Sequence, residues 1–485
     1  MTLLPNDVEK LARCCERLYH QEKTACNPLI YLRNKSHKEL KNFRNLKRNK
    51  SSVIGIFRGL FRLVAILLLS LLRLGNWRIS RKHLRDPEFV FVSHLTSKEQ
   101  KLERLDRYFH DLPGYLSKDH QVLVIRINQT RDYLGKTVSP CSTEHLEIIN
   151  LPITANPFVE VTNIVKLLSG AKSLVTDYFN DIGPNSFSAL LFLISGQLST
   201  HALTNLRISS LLDNVLKTTS AKLIVSTFEG HGWERCFQIK MERSKGNGKL
   251  GAYLHAPVTE NSIFLLNNQS YEYIDLVFTT GEIPKNLIMK NCPLIESKIL
   301  GSARTFAQPI SKQLPVDRRK CCLLAPEGEQ SETDLFLRLA INIAIEAREI
   351  DFKLSLHPLM IRQAGILEHA ISRNGLKNLK LIRQPLSLQL TKTDFIVYRG
   401  TSVVYDALAA GVRPIFYDCW LDEAFTNLLP KSFPFRLVAQ RQSEIISHIQ
   451  NTPPFTDEEL MTAFSYAKGN FQPMNKKSIL EALAE

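Results

Sequence analysis

The sequence has no pair of cysteines at Cys-x-x-Cys spacing. Its 9 cysteines, Cys14, Cys15, Cys26, Cys141, Cys236, Cys292, Cys321, Cys322 and Cys419, are odd in number and scattered over 485 residues. That pattern argues against a disulfide framework and a clustered zinc site, and fits the reduced thiols of a cytoplasmic protein. The first 25 residues contain Asp7, Glu9, Glu16 and Glu22 and no long apolar stretch, so no secretory leader is read there. Low-complexity linkers and internal repeats are also missing, and so is an apolar run of the ~20 residues that a bilayer span needs. Three short signatures are absent as well: an Asp-x-Asp pair for a metal-bound nucleotide, a P-loop and a Gly-x-Ser-x-Gly elbow; the one Gly-x-Gly-x-x-Gly spacing, Gly246 to Gly251, leads into an apolar run instead of following one, which is not the placement of a dinucleotide fingerprint. Metal-dependent and NAD-dependent chemistry lose rank accordingly.

Charge is present but uneven. The formal net charge is +15. Residues 1–82 carry 18 Lys/Arg and 5 Asp/Glu, a net of +13, so the remaining chain is near neutral at +2. A whole-protein nucleic-acid binder is therefore excluded, and the basic character belongs to an N-terminal extension. Residues 33–50 hold eight Lys/Arg and one Glu, and lead into an amphipathic stretch whose apolar run Leu63–Leu72 is ten residues long. On a helical wheel Arg58, Arg62 and Arg73 cluster on one side and leave the rest to Leu, Ile, Val and Phe. Such a helix is expected to lie in a membrane interface, with Trp77 and the basic groups at headgroup level and the polybasic run drawn to an anionic leaflet. A helix packed on the body, beside a merely solvated basic run, is the competing expectation.

From residue 85 onward, short β-rich runs alternate with helical stretches, the pattern of parallel sheets covered by helices. The first series is 89–95, 121–128, 146–152, 222–228 and 275–281, with a mostly helical insert over 158–216 that includes an all-round apolar helix, FSALLFLISGQL. The second is 321–328, 352–358, 379–385, 394–400 and 413–418. These predict an α/β chain of two Rossmann-like domains facing across a cleft. The expected divisions are a basic extension over 1–82, an acceptor domain over 83–290, a nucleotide-binding domain over 291–455 and a C-terminal helix over 456–485.

Ligands of open α/β sheets bind beyond the carboxyl ends of the strands, which directs attention to four loops. Glu229-Gly230-His231-Gly232-Trp233-Glu234-Arg235 follows the fourth run, and a carboxylate at such a strand end suits a general base. Glu229 is the first candidate, with His231 and Glu234 behind it; an ion pair between Glu234 and Arg235 is the structural alternative. His255 ends another run. In the second series His357-Pro358 ends a strand, where the imidazole can meet a phosphate. Arg399-Gly400-Thr401-Ser402 precedes a helix, so its hydroxyls serve as caps and its free N–H groups as an anion site, and Asp406 one turn on can reach a ribose hydroxyl. Glu327 and Gly328 lie in a loop opening another helix, with Ser331 or Thr333 as its cap; Gly328 allows close backbone approach, and Glu327 either contacts a nucleotide or acceptor or is the acidic residue favoured at a helix start.

The ordered set of Glu229-Gly230, His357-Pro358 and Thr401-Ser402 resembles bacterial GT-B glycosyltransferases that use CMP-activated sugars: the sialyltransferases, polysialyltransferases and Kdo transferases of capsule and lipopolysaccharide synthesis. FEGHGWER and GAYLHAP resemble a surface-carbohydrate biosynthesis family as well. The resemblance spans residues 220–420. It implies a GT-B fold, an acceptor-activating base at Glu229, donor-phosphate contact and acid catalysis by His357, and phosphate binding by Thr401 and Ser402, with Arg399 or Arg413 adding charge. It implies no metal and no cofactor beyond the nucleotide-sugar donor, a glycan or lipid-linked glycan acceptor, and a peripheral place on the inner face of the cell membrane. The sequence departs from the family in keeping one carboxylate, Glu229, where two are usual. CDP-glycerol or CDP-ribitol polymer transferases share the strand-end His-Pro and the Arg-Pro-Ile strand, and a non-catalytic GT-B scaffold at the membrane is the third reading.

Overall fold

Uninterrupted apolar runs suit strands that are covered on both faces, which is where a parallel sheet sits. The computed structural model describes residues 49–72, 86–130, 132, 139–140, 142–181, 194–217, 219–244, 248–260, 262, 265–309, 318–384, 386–419 and 427–484. They contain two such sheets. The first has β1 (Phe89–Leu95), β2 (Val122–Asn128), β3 (Leu146–Asn150), β4 (Leu223–Thr227), β5 (Lys249–Leu254), β6 (Leu276–Thr279) and β7 (Glu296–Ile299) in the order 3-2-1-4-5-6-7. The second has β8 (Cys321–Ala325), β9 (Asp351–Ser355), β10 (Leu379–Ile382), β11 (Phe395–Tyr398), β12 (Arg413–Tyr417) and β13 (Leu437–Ala439) in the order 10-9-8-11-12-13. Every pairing is parallel, with Phe89 opposite both Val122 and Leu223 and Phe395 opposite both Cys322 and Arg413. In each sheet the strand order reverses beside the central first strand, between β1 and β4 and between β8 and β11. Those two switch points are where such folds open a binding crevice.

The expected two-domain α/β architecture is present, with two adjustments. The boundary drawn at 290 moves beyond Ile299, because β7 bonds to β6 and so belongs to the first sheet. Residues 456–485 hold two helices, not one. The helices that bear on the site and its surroundings are α1 (Asn49–Leu72), α2 (Pro157–Asp181), α3 (Thr200–Leu216), α4 (Gly232–Ser244), α5 (Glu282–Asn291), α6 (Gln330–Glu346), α7 (Val403–Ala409), α8 (Asp457–Asn470) and α9 (Lys477–Ala484). The basic run 33–48, Arg73, Trp77 and most of the apolar helix expected at 187–198 fall outside the described residues.

α1 lies against the first domain. Leu63 joins its core beside Leu167 and Leu198, Ser70 Oγ donates to the Ala155 carbonyl at 2.6 Å, and Gly59 meets the Leu198 carbonyl so closely that a Cβ there would stand 2.4 Å from it. Phe57, Phe61, Val64, Leu68 and Leu72 face outward and are exposed. Among the described residues no helix is long and apolar enough to cross a membrane.

The chain returns at its end. Thr456 and Glu459 close a capping box at the start of α8, which packs on α7 and on α5. The following segment then bonds to the first domain through Gln472 N to Thr280 O, Ser302 N to Gln472 O and Asn475 N to Leu300 O, at 2.7–2.8 Å. Gly301, at φ 84, lets the Pro473 carbonyl approach to where a side chain would stand. Ile479 and Ala482 of α9 are buried with Phe89, Phe91, Val124 and Phe278 in the first domain's core.

Candidate functional site

Phe228 ends the fourth strand's run inside the core, and the chain then turns through Gly230, whose φ of 88 is open to glycine at little cost. The turn is organised by Glu234. Its carboxylate accepts the backbone N–H groups of Glu229 (3.1 Å), Gly230 (2.7 Å) and His231 (2.7 Å) from the first turn of α4. Full burial of Glu234, with the Glu229 charge adding to it, pushes its carboxyl up to about 7 even though the His231 charge and those N–H bonds pull the other way. Glu234 therefore clamps the loop and has no free oxygen edge for an acceptor. The expected Glu234–Arg235 pair is replaced by Arg235 Nη2 to Glu272 Oε2 at 2.7 Å, with the guanidinium over Tyr273.

The clamp aims Glu229 at two imidazoles. His231 Nε2 stands 3.0 Å from Glu229 Oε2, and His255 Nε2 stands 2.7 Å from Oε1. A carboxylate only accepts, so both imidazoles donate from Nε2, which leaves each Nδ1 as the proton-accepting nitrogen of the neutral ring. The Nδ1 of His255 is buried and has no hydrogen-bond partner among the described residues. Burial raises the Glu229 carboxyl, but the bonds from His231 and His255 outweigh it and hold the group well below the usual carboxylate range. Tyr108 packs edge-on to His255 with ring centroids 4.5 Å apart, and its phenol is pushed up to about 12 by burial and by the Glu229 charge.

His94, at the end of β1, is the residue that the sequence concealed. It is buried against Trp233, Tyr108 and His231, with Nδ1 2.9 Å from Gln129 Nε2. Burial, followed by the charges of His231 and His255, lowers it to about 3. Inside the run FVFVSHL it reads as a strand position; only the switch point between β1 and β4 puts it beside Glu229. His94 thus stays neutral where an ordinary histidine begins to charge.

Two buried groups give the fold opposed pH dependences. Between about pH 4.5 and 7 the folded chain holds a proton on Glu234 that the unfolded chain releases, so this group's stabilisation falls as pH rises. Between about pH 3 and 6.5 the unfolded chain protonates His94 and the folded chain does not, so stability rises with pH. The slopes oppose each other over their shared window. Glu234→Gln removes the first slope, and unfolding free energies from urea titrations at pH 5, 5.5 and 6 should then rise more steeply than in the wild type, by roughly 1 kcal/mol per pH unit at most. An unchanged slope would mean that Glu234 is ionised in the folded chain.

The second sheet presents its expected residues on its carboxyl edge: Glu327 and Gly328 after β8, His357 two residues after β9, and Arg399 to Ser402 after β11. Pro358 opens the 3-10 turn Pro358–Gln363, in which Met360 N donates to the His357 carbonyl at 2.8 Å. Burial, then the charge of Arg107 from the first domain, lowers His357 below its ordinary value. Arg107 is the neighbour of Tyr108, so the charge that His357 feels comes from the loop that also packs a ring on His255.

Several expectations here are corrected. Arg399 is buried and bonded to the buried Glu332 at 2.8 Å, an ion pair under the loop and no cleft cation. Arg413 opens β12 at the opposite edge of the sheet, held by the Pro453 and Pro454 carbonyls and by Glu459. Ser402 makes no side-chain cap; Thr401 Oγ1 takes a long 3.4 Å bond from Val403 N. The cap position of α6 is Glu329, not Ser331 or Thr333. Ser402 and Asp406 turn to Arg304, which no local pattern marked. Its Nη1 is 2.9 Å from Ser402 Oγ, its Nη2 donates to the Ser402 carbonyl, and both Nε and Nη2 bond the Asp406 carboxylate. Arg304, stacked on Phe471, is the cation at this corner. Among the described residues no group of His, Cys, Asp and Glu side chains has the arrangement to hold a metal ion.

No family model and no curated protein sequence matches the chain. Solved structures do. The chain is similar to a glycosyltransferase from Rickettsia africae (10% identity, TM-score 0.42, 82% of this chain and 98% of that one). It is similar also to Anabaena HepE, solved with UDP and glucose (11%, 0.43, 82% and 100%), and to the kitacinnamycin glycotransferase (9%, 0.45, 82% and 99%). Identities near one in ten leave donor and acceptor to be argued from this chain's own residues.

Proposed function

We propose that the chain is a metal-independent glycosyltransferase, moving a sialic-acid-like or Kdo-like sugar from a CMP-activated donor to a cell-surface glycan acceptor at the inner face of the membrane, where residues 33–82 hold it. The observation that carries the reading is the Glu229 carboxylate braced by His231 and His255 beside the switch point of the first sheet, with His357 at the carboxyl edge of the second. The acceptor hydroxyl gives its proton to this Glu229–imidazole group as its oxygen attacks the anomeric carbon. The bond to the CMP phosphate breaks, and the departing charge is met by His357, by Thr401 and Ser402, and by Arg304. A bound phosphate raises the pKa of His357 and so supplies the proton it passes to the leaving group. Glu327 and Gly328 border the same edge and fit donor contact. Closure of the two domains excludes water and aligns the reactants.

Thermal shifts of the full chain with CMP, CDP, UDP, GDP and ADP test the donor. A nucleotide at 100 times its dissociation constant adds about 2.7 kcal/mol of stability. CMP is expected to stabilise the wild type and to lose that effect in His357→Ala. A response confined to CDP sinks the CMP-sugar reading in favour of a CDP-polyol donor, and no response to any nucleotide in a folded sample sinks the donor site and favours a non-catalytic scaffold.

A further inference from the structure

Away from the cleft, α2 follows α1 in showing apolar groups to solvent. Phe158, Val161, Val165 and Leu168 recur at helical spacing and are all exposed, while the opposite face, with Leu167 and Leu174, is buried. α1 packs directly on α2. Its Ser70 end is bonded to Ala155, just before α2 begins, and its Gly59 end lies at Leu198, so the chain crosses from one part of the helical insert to another. Two adjacent helices thus each expose an apolar stripe, more than the scattered exposed groups of an ordinary surface.

Next to the second stripe is a cavity of about 500 Å³, lined by Phe158 and Lys166 from α2, Ser210 from α3, Lys217 just past it, and Lys240 from α4. Asp213 is its one carboxylate and pairs with Lys217 at 3.2 Å, so the lining carries more positive than negative charge. Asn163 also lines it. This residue is 1% exposed, its Oδ1 takes the Ser210 hydroxyl at 3.4 Å, and its Nδ2 is buried with no hydrogen-bond partner among the described residues. An unsatisfied buried donor is costly, and one among lysines asks for an anionic acceptor.

We propose that this cavity binds the phosphate headgroup of an anionic membrane lipid, with Phe158, Val161, Val165 and Leu168 and the outer face of α1 set among its acyl chains. The occupant is argued from charge: Arg58 and Arg62 are exposed beside the α1 stripe, residues 1–82 carry a net +13, and an anionic leaflet complements both. Phe158 belongs to both the stripe and the cavity, which joins an apolar tail to an anionic head in one ligand. The inference rests on the membrane reading above and extends it from one helix to a two-helix platform with a headgroup site, which fixes how the body is oriented on the surface.

Sedimentation of the full chain with vesicles of phosphatidylcholine alone, or with three parts in ten phosphatidylglycerol, tests it. The wild type is expected to bind the anionic vesicles, and both Lys166→Gln/Lys240→Gln and Val161→Asp/Val165→Asp to weaken that binding at least tenfold with unchanged melting temperatures. Since all four positions lie at the surface or cavity rim, melting curves identify any variant that fails to fold; Lys166→Glu/Lys240→Glu is the second cavity variant. If Phe57→Asp/Phe61→Asp abolishes binding while the α2 and cavity variants bind as wild type, the inference fails and the membrane reading stands. If the wild type binds neither vesicle, both fail. Inorganic phosphate that stabilises the wild type but not the cavity variants, without any vesicle dependence on those lysines, makes the cavity a site for free phosphate and overturns the lipid assignment. A dimer that Val161→Asp/Val165→Asp dissolves, without vesicle binding, gives the stripe to a second copy of the chain and likewise overturns it.

Discussion

Glu229→Gln is expected to lower the rate of sugar transfer by about 10²–10⁴-fold, the usual worth of a positioned proton acceptor, while nucleotide-induced stabilisation stays as in the wild type. The amide keeps the size of the carboxylate and can still take one imidazole N–H, so the loop clamped by Glu234 holds its shape. What is lost is the charge. With it goes the acceptor that holds both rings by Nε2–H, and each ring is free to change tautomer. The measurement is initial rate at saturating donor, beside the thermal shift with CMP. A variant that transfers at the wild-type rate would remove Glu229 from the chemistry; a variant that loses CMP binding instead would move it to the donor site.

Arg126→Met is expected to cost about 3–5 kcal/mol of stability, the range for breaking one side of a buried ion pair. Arg126, in β2, is 2% exposed and reaches Asp106, itself 2% exposed, at 3.3 Å. Its guanidinium also bonds the carbonyls of Gln100, Glu103, Arg104 and Leu105, so one side chain holds nearly a whole loop against the sheet. Asp106 in turn takes the Ser93 hydroxyl and the N–H groups of Tyr108 and Phe109. Removing the arginine strands a buried carboxylate and four carbonyls. Urea unfolding measures the loss, and Arg126→Met with Asp106→Asn should recover part of it, because the stranded charge is gone. A cost within about 1 kcal/mol, the range of an exposed pair, would contradict the buried network. Since the same loop carries Arg107 and Tyr108 to the cleft, transfer should weaken beyond what the unfolded fraction accounts for.

The strands that were legible in the sequence are those buried on both faces. FVFVSHL, CCLLA and RPIFY are continuous apolar runs, and continuity is what a covered parallel strand leaves in a sequence. The edge strands Glu296–Ile299 and Leu437–Ala439 are four and three residues long, with Glu296 exposed, too short and too polar to rise above loop composition. At the site, Glu229, His231 and His357 were legible because glycine and proline mark strand-end loops. Glu234 was legible as a residue but not in its role, which depends on three N–H groups converging in a turn. His94 and Arg304 left no local trace: one is hidden inside an apolar run, and the other comes from a connector about a hundred residues before the helix it serves. Tertiary convergence of this kind is not written in spacing. The basic extension was legible as charge, and α1 was legible as amphipathic; that it docks on the body through Gly59, Leu63 and Ser70 follows from one small-residue and apolar stripe that the wheel of arginines outshone.

The return of α9 has a consequence for how the protein is made. A ribosome delivers β1 some 390 residues before it delivers Ile479 and Ala482, yet these pack together against Phe89 and Phe91. The first domain emerges first and waits, with part of its inner lining exposed, through the synthesis of the whole second domain. Its last contacts close only after residue 482 has been made, so native completion of the first domain is tied to one late event. An arrested or truncated chain ending before residue 477 displays that open seam, which is the kind of surface chaperones and proteases read as unfinished.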